Sequence, residues 1–327
     1  MSQQTANSSL INLAQPRLGA KVVHATDDFF ADKSRLILPA DPVFIPNKYD
    51  ENGKWMDGWE SRRKRVSGHD HCTIKLGSPG TVEQIEVDTS HFTGNFPPAA
   101  SVEACLYDGD IPPENQKWTN IISKVELQGD SNIVLKTENS GSFSHLRLHI
   151  YPDGGVARLR AYGRIARDWS DFDKNKQIDL AALELGGRPL GCNNQHFGVP
   201  ENLIAPGKGI NMGDGWETRR RREPGHDWAV LALAHPGVIE EILLDTKHFK
   251  GNYPDRFFLQ GTMCQGLSDE EILQQAQDWP ILIEQQKCEA DTEHHFKLSN
   301  SQAVSHVRLN IIPDGGVSRL RLLGHIV

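Results

Sequence analysis

Acids, arginines, histidines and amides recur in the same order in two parts of this chain. In the first part they lie in the motifs DGWESRRKR, GHD and HFTGN, which include Glu60, Arg62 and the pair His69–Asp70. Guanidinium groups bind planar carboxylates through two parallel hydrogen bonds. A histidine or a buried glutamate can transfer protons near neutral pH. Together with asparagine, which donates and accepts hydrogen bonds, these residue types predict a pocket for a small anion that carries amide groups.

The candidate residues fall into two classes, and each has a counterpart in the second part of the chain. The candidates for proton transfer are Glu60, His69 and Asp70, with counterparts Glu217, His226 and Asp227. The candidates for substrate binding are Arg62, Arg63, His91, Asn95, Arg158 and Arg160, with counterparts Arg219, Arg220, His248, Asn252, Arg319 and Arg321. No serine stands in a nucleophile-elbow motif, so covalent acyl-enzyme chemistry is not favoured.

The same residue types also have ordinary structural roles. A His-Asp dipeptide often only hydrogen-bonds a loop, and Asp-Gly-Trp is typical of a turn followed by a core aromatic. Arg158 and Arg160 have the spacing of one strand face, where solvated or cross-strand-paired arginines are common. Alternation along an extended strand sends Arg62 and Arg63 to opposite sides, so both cannot point into one pocket.

The recurrence reflects an internal duplication. Residues 57–76 match residues 214–233 at 11 of 20 positions, and residues 145–160 match residues 306–321 at 12 of 16. Unrelated segments would agree at roughly one position in seventeen. Upstream of the first DGW motif, the first copy carries about ten extra residues, which the alignment places in the stretch 40–54. The duplication predicts two domains of similar fold.

Strand patterns dominate each copy. TIKLG, VEQIEVDT, HLRLHIY and VARLRAYG alternate apolar and polar residues or carry β-branched runs. PDGG between the last two predicts a tight hairpin turn. Many short strands with Gly and Pro between them favour an all-β fold, a sandwich or jelly roll for each copy. The predicted boundaries are a tail over 1–17, a first domain over 18–165, a linker over 166–184 and a second domain over 185–327.

Two short helices interrupt this pattern. The linker 166–184 is expected to end in one of them. The segment 268–279 predicts the other, because Ser268 and Glu271 have the spacing of a capping box.

Composition excludes several functions. The net charge of −8 argues against nucleic-acid binding, which needs a basic field. No stretch approaches the roughly 20 apolar residues that span a bilayer, and the N-terminal residues lack a signal-peptide pattern. The five cysteines show no CxxC spacing, which argues against a disulfide framework and a zinc site. We therefore expect a cytoplasmic protein with a small-molecule substrate, no nucleic-acid or membrane partner and no cofactor, assembled as a homo-oligomer.

The spaced motifs DGWESRRKR…GHD, VDTSHFTGN.P and PDGGV.R.R, with DDFFADKSRLI upstream, resemble the allantoicase family from about Leu18 to the C-terminus. The resemblance implies two galactose-binding-like jelly-roll domains. It also implies hydrolysis of allantoate to ureidoglycolate and urea in purine degradation. A substrate with one carboxylate and two ureido groups suits the arginines, acids and amides identified above.

Several alternatives stay open. A tandem jelly-roll module that binds a ligand without catalysis is the main one. A divalent metal ion held by His69, Asp70, His71 and His91 is another, although adjacent strand residues do not easily converge on one ion. The copies also differ, with Trp228 at the position of His71 and Arg256 at the position of Ala99. Sequence does not indicate whether one or both copies are active.

Overall fold

The computed structural model describes residues 9–139, 141–299 and 302–327. The chain forms two compact units, here called the first repeat, which ends at Arg167, and the second repeat, which begins at Asp168. Each repeat is built almost entirely from antiparallel strands. The predicted all-β fold of two jelly-roll sandwiches is confirmed.

The first repeat contains twelve strands in its described residues. They are β1 (Ile11–Asn12), β2 (Lys21–Ala25), β3 (Tyr49–Asp50), β4 (Gly53–Lys54), β5 (Trp59–Glu60), β6 (Asp70–Asp88), β7 (Ala99–Cys105), β8 (Thr119–Glu126), β9 (Asn132–Lys136), β10 (Ser142–Tyr151), β11 (Gly155–Val156) and β12 (Arg158–Ile165). Short 3-10 helices cover Pro16–Leu18 and Lys33–Ile37.

The long strand β6 belongs to both layers of the sandwich. Its first half pairs with β2 and β10, and β10 continues the layer to β7 and β8. Its second half pairs with β9 and β12, and β12 pairs with β1. Gly77 and Gly80 lie between the two halves, and an added Cβ at either would lie 2.5 Å or less from neighbouring atoms. The runs TIKLG and VEQIEVDT, predicted as separate strands, therefore form one.

The second repeat reproduces this topology. Its strands are β13 (Ile178–Asp179), β14 (Arg188–Cys192), β15 (Trp216–Glu217), β16 (Asp227–Asp245), β17 (Arg256–Thr262), β18 (Ile281–Lys287), β19 (Glu293–Lys297), β20 (Ala303–Ile312), β21 (Gly316–Val317) and β22 (Arg319–Ile326). Strand β16 has the role of β6 and pairs with β14, β19, β20 and β22. Further 3-10 helices cover Leu183–Leu185, Pro200–Ile204, Met212–Asp214 and Ala276–Asp278.

Period-two alternation places the core between the layers. In the first repeat, Ile74 on β6 and Leu146 and Leu148 on β10 are fully buried. Trp59 is also fully buried, and its Nε1 donates to the Asp27 carbonyl at 2.8 Å. The Asp-Gly-Trp motif therefore supplies a core aromatic, the structural role that its sequence allowed.

The prediction that PDGG closes a hairpin is wrong. Strand β10 pairs with β6 and β7, whereas β12 pairs with β6 and β1, so the chain crosses between layers at this point. Gly155 N instead donates to the Asn95 carbonyl at 2.7 Å, and Gly154 O accepts from Ser61 N at 3.1 Å. Local turn chemistry does not reveal that β6 lies between the two strands.

The predicted helix near residue 270 is confirmed. It is α1 (Asp269–Gln275), and Ser268 and Glu271 form both bonds of the capping box. The linker ends in the 3-10 helix Leu183–Leu185, after β13 has joined the sheet of the second repeat. Strand β1 lies within the stretch expected to be a tail and pairs with β12. Residues 1–8 of that stretch lie outside the described residues.

Within the described ranges, no helix has the length and apolar character that a membrane crossing requires.

Candidate active site

A buried acid–amide pair stands at the centre of the first repeat's site. The Asn95 Nδ2 donates a 2.8 Å hydrogen bond to the Glu60 Oε1. Glu60 is only 9% exposed, and burial raises the pKa of its carboxyl although the Asn95 bond opposes that shift. A carboxyl whose pKa is raised toward neutrality is suited to proton transfer.

Several backbone contacts hold the pair in place. Glu60 lies on β5, which pairs with β11, and its N–H donates to the Ala31 carbonyl at 3.1 Å. The Asn95 carbonyl accepts from Gly155, the neighbour of Glu60 across that strand pair. Segments that are distant in the chain thus converge on the two side chains.

Glu60 and Asn95 line two adjoining clefts. The first, of about 410 Å³, is lined by Phe30, Phe44, Lys54, Met56, Glu60, His91, Thr93, Asn95 and Asp130. The second, of about 500 Å³, includes Arg63, Lys64 and the loop Pro152–Gly154 in its lining. Glu60 therefore borders both clefts.

Lys54 is a functional candidate that sequence reasoning missed. It belongs to the stretch in which only the first copy has extra residues, and its Nζ lies 4.4 Å from the Phe44 ring centroid. At the offset of the DGW motif, the second copy has Asn211 at this position. The signal that could have found Lys54 is a cation just before the DGW motif that has an uncharged counterpart, Asn211, in the second copy.

His91 contacts the stretch 40–54, which carries Lys54. Its backbone has a φ of 70°, and its N–H donates to the Asp130 Oδ1 at 2.8 Å. Its Nε2 is 3.2 Å from the Pro42 carbonyl, and its ring lies 5.8 Å from that of Phe44. With a carbonyl as partner, the ring nitrogen is a donor, so His91 holds the inserted loop against the cleft.

The two adjacent arginines diverge, as the alternation argument expected. Arg62 is exposed and forms a salt bridge with Asp27, with Nη2 to Oδ2 at 2.6 Å and Nε to Oδ2 at 2.7 Å. Arg63 lines the larger cleft. Of the pair, only Arg63 therefore lies beside Glu60.

The later arginines are engaged within the fold. Arg158 is 1% exposed, its Nη2 is 2.9 Å from the Asp57 Oδ2, and its other nitrogens donate to backbone carbonyls. Arg160 donates to the carbonyls of residues 38 and 39 and lies 3.8 Å from Glu86. Both hold the chain just before the inserted loop.

His69 and Asp70 have separate partners. The His69 Nε2 is 2.8 Å from the His149 Nδ1. The Asp70 Oδ1 accepts from Lys64 Nζ at 2.7 Å and from Thr26 Oγ1 at 2.8 Å. Asp70 thereby fixes Lys64, which lines the larger cleft. Neither His69 nor Asp70 is among the described residues that line the two clefts.

Metal chemistry was the open alternative at His69, Asp70, His71 and His91. In the chain segments that the structure describes, no group of three or more potential ligands is placed to hold a metal ion. His71 lies 5.5 Å from His149 between ring centroids, and burial with the nearby Arg147 charge lowers the pKa of His71 to about 4.

The second repeat keeps the acid–amide pair. Asn252 Nδ2 donates to Glu217 Oε1, and the His248 Nε2 is 2.8 Å from the Gly209 carbonyl. His226 Nε2 is 3.0 Å from Asn310 Oδ1, where the first repeat has two histidines in contact.

The later arginines of the second repeat have the same roles as those of the first. Arg319 forms a salt bridge with Asp214 at 2.6 Å, and Arg321 donates to the Ala205 and Gly207 carbonyls. The second repeat therefore keeps both the arginines that hold the fold and the acid–amide pair.

A polar cleft of about 280 Å³ lies in the second repeat. It is lined by Asn193, Asn194, Arg219, Arg220, Arg221, Arg222, Glu223 and Asp227. Two of the predicted substrate-binding residues, Arg219 and Arg220, and the predicted acid Asp227 meet here. The Glu60 clefts differ from this one because their linings also contain aromatic side chains.

Comparison with known proteins identifies the family to which the chain is similar. The family model described as the allantoicase repeat matches residues 11–166 and again 178–327. A probable allantoicase of Burkholderia mallei is 54% identical over 316 residues, which cover 96% of this chain and 94% of that protein. A probable allantoicase of Pseudomonas fluorescens is 54% identical over 318 residues, with coverage of 97% and 96%.

A solved structure shares the complete fold. The crystal structure of allantoicase from Saccharomyces cerevisiae aligns with a TM-score of 0.83 at 36% identity, over 97% of this chain and 93% of that one. The two matched repeats, the near-complete coverage and the level of identity together show that this chain belongs to the allantoicase family.

Proposed function

We propose that the protein hydrolyses allantoate to ureidoglycolate and urea in purine degradation, and that the reaction takes place in the Glu60 clefts of the first repeat. The observation that carries the location is the buried Glu60 carboxyl with a raised pKa, held by Asn95 beside the cation Lys54. Membership of the allantoicase family favours this hydrolase over a jelly-roll module that only binds a ligand.

The lining suits the three polar groups of the substrate. Lys54 supplies a positive charge for the carboxylate, since an ammonium ion and a carboxylate form a charge-assisted hydrogen bond. Thr93 and Asn95 present a hydroxyl and an amide to one ureido group. Arg63 and Lys64, in the adjoining cleft, present donors to the second ureido group.

Glu60 then moves the proton. Its Oε1 accepts from Asn95, which leaves Oε2 to take a proton from water as the water oxygen bonds to the central carbon of allantoate. The bond between that carbon and one ureido nitrogen breaks, and Glu60 returns the proton to the departing nitrogen. Ureidoglycolate and neutral urea result, and the carboxylate is regenerated without a covalent intermediate.

The other predicted residues have positioning roles in this proposal. Arg158 and Arg160 hold the segment before the inserted loop, and His91 holds the loop itself. Asp70 fixes Lys64. Arg62 is neutralised by Asp27 and contributes no free charge to the clefts. Glu217, Asn252 and His248 preserve the geometry in the second repeat, where Asn211 replaces the lysine.

Measurement of urea release from allantoate tests the proposal with a matched pair of variants. We expect Glu60→Gln to lower kcat by about 10²–10⁴-fold, the usual contribution of general acid–base catalysis. Glu217→Gln makes the same change in the second repeat and should retain the parent rate. Loss of turnover in Glu217→Gln with full turnover in Glu60→Gln would move the active site to the second repeat.

We also propose that the protein is a cytoplasmic homo-oligomer that needs no cofactor and has neither nucleic-acid nor membrane partners. Closed symmetry is common among soluble enzymes, and the net charge of −8 disfavours polyanions. Sedimentation of the purified chain measures the oligomeric state. A strictly monomeric enzyme with full turnover would contradict that part of the proposal.

A further inference from the structure

The segment that accepts a hydrogen bond from Arg62 in the first repeat, and from Arg219 in the second, differs in charge between the repeats. Residues 26–29 read TDDF, and at an offset of 167 residues 193–196 read NNQH. The two segments make the same main-chain contact, because the Asp27 and Asn194 carbonyls each accept from the buried indole of their repeat, at 2.8 and 2.9 Å. The second repeat therefore has two amides in place of two carboxylates, with the same main-chain contact.

The side chains of Asp27 and Asn194 differ in their contacts with the arginine of their repeat. The Asp27 Oδ1 accepts from Arg62 N at 3.0 Å, and the Asn194 Oδ1 accepts from Arg219 N at the same distance. The second oxygen of Asp27 neutralises the guanidinium of Arg62. Asn194 has an amide nitrogen instead, so the internal counter-ion is missing.

The orientation of the Asn194 amide is determined by its partners. Its Oδ1 accepts from two backbone N–H groups, those of His196 at 3.2 Å and Arg219 at 3.0 Å. Its Nδ2 consequently points away from them and has no hydrogen-bond partner among the described residues. Within the described ranges, the Arg219 guanidinium likewise has no acidic group within 4 Å. An unpartnered amide donor and an unpaired guanidinium thus belong to two residues that line one cleft.

The surrounding cleft strengthens this excess of donors. Four consecutive arginines, Arg219–Arg222, line it together with Glu223 and Asp227, so the cationic groups outnumber the acids by two. Arg221 lies nearest to an acid, with its Nε 3.5 Å from the Asp227 Oδ1. In the described structure that Nε is buried and has no hydrogen-bond partner. Every described residue of the lining carries a polar or charged side chain.

We infer that this cleft of the second repeat binds a small carboxylate, which pairs with the Arg219 guanidinium as the Asp27 carboxylate pairs with Arg62 in the first repeat. Guanidinium groups pair with carboxylates in a planar, bidentate arrangement, and the Asn194 amide adds a third donor. The site is separate from the Glu60 clefts to which hydrolysis is assigned above, and its existence does not depend on that assignment.

Titration calorimetry with sodium malonate, at constant ionic strength, tests the site. The parent should bind malonate, and Asn194→Asp should bind it at least ten times more weakly because the variant restores the internal counter-ion. Gln265→Glu adds the same charge to another exposed loop of the second repeat and should bind like the parent. Arg219→Gln, which removes the guanidinium from an exposed position, should also lose binding and covers the case in which Asn194→Asp does not fold.

Three results would overturn the inference. They are absence of malonate binding to the parent, parental affinity in both Asn194→Asp and Arg219→Gln, and sulfate binding as tight as malonate binding, which would mark a nonspecific oxyanion patch. Glu60→Gln should keep malonate binding while it loses urea release. Failure of the proposed catalytic role and failure of this site are therefore distinguishable in the same set of proteins.

Discussion

The contact between Glu60 and Asn95 illustrates how two opposing effects determine a functional pKa. Burial disfavours the ionised carboxylate and raises the pKa, whereas the Asn95 amide donates to the ionised form and lowers it. Burial is the larger effect, so the pKa lies above the ordinary value of 4.5. The proposed reaction requires Glu60 both to accept and to return a proton, which a raised pKa favours.

Removal of the amide should therefore shift the pH profile. Glu60 acts as a base in the proposed reaction, so kcat/KM should rise with pH through its pKa. Because Asn95→Ala removes an interaction that lowers that pKa, the ascending limb should move to higher pH. The pH dependence of urea release measures the shift. Asn252→Ala, the same change in the second repeat, should leave the limb in place, and an unmoved limb in Asn95→Ala would refute the base assignment.

Lys54 should act mainly on substrate binding. A charge-assisted hydrogen bond is worth about 1.5–3 kcal/mol, so Lys54→Gln should raise the KM for allantoate by about tenfold or more with a smaller effect on kcat. Lys48→Gln is the matched control, since Lys48 lies in the same insertion but packs 3.6 Å from the Trp55 ring centroid. An unchanged KM in Lys54→Gln would remove the lysine from the carboxylate site.

At the scale of elements, the PDGG loop matters more for the site than its sequence suggests. It connects the two layers of the sandwich, and its backbone bonds to the segments that carry Ser61 and Asn95. Gly155 has no room for a side chain, because a Cβ there would lie 1.9 Å from the Phe92 ring. The glycine is required by close packing at this crossing.

Gly155→Ala should consequently destabilise the first repeat by about 1–3 kcal/mol, the usual cost of overpacking a core. Gly94→Ala is a suitable control, because an added Cβ at that position would meet nothing within 4 Å. Denaturant unfolding of the purified proteins gives the difference in free energy of unfolding. Equal stability of the two variants would show that Phe92 can move aside at little cost.

At the scale of the molecule, the two repeats share a fold and differ in the charges around equivalent loops. The first repeat has the inserted loop, Lys54 and an internal counter-ion for Arg62. The second repeat has Asn211 and Asn194 at the corresponding positions and an arginine-lined cleft. Duplication thus preserved the acid–amide pair while the surroundings of each copy diverged.

The proposed chemistry uses only groups of the chain itself. Glu60 carries the proton and Lys54 supplies the positive charge, so extensive dialysis against a chelator should leave the rate of urea release unchanged. Full activity that returns only on addition of a divalent ion would contradict this prediction. The same dialysis on Glu217→Gln checks that the second repeat does not mask a metal effect in the first.

The sequence by itself determined the duplication, the strand-rich fold and the capped helix, because these follow from local periodicity and residue type. It also singled out Glu60 and Asn95, since both recur in spaced motifs. Family membership was already indicated by those motifs and was confirmed by the comparisons.

Only the tertiary structure decided which polar residues meet. Arg62 and Arg63 are neighbours in the chain, yet one is neutralised by Asp27 and the other lines a cleft. Lys54 lines the cleft of Glu60 from a stretch that no motif marks. Likewise, the PDGG sequence predicts a hairpin, but β6 lies between the two strands that it connects. Strand pairing and loop placement depend on contacts between distant segments, and local sequence patterns carry little information about such contacts.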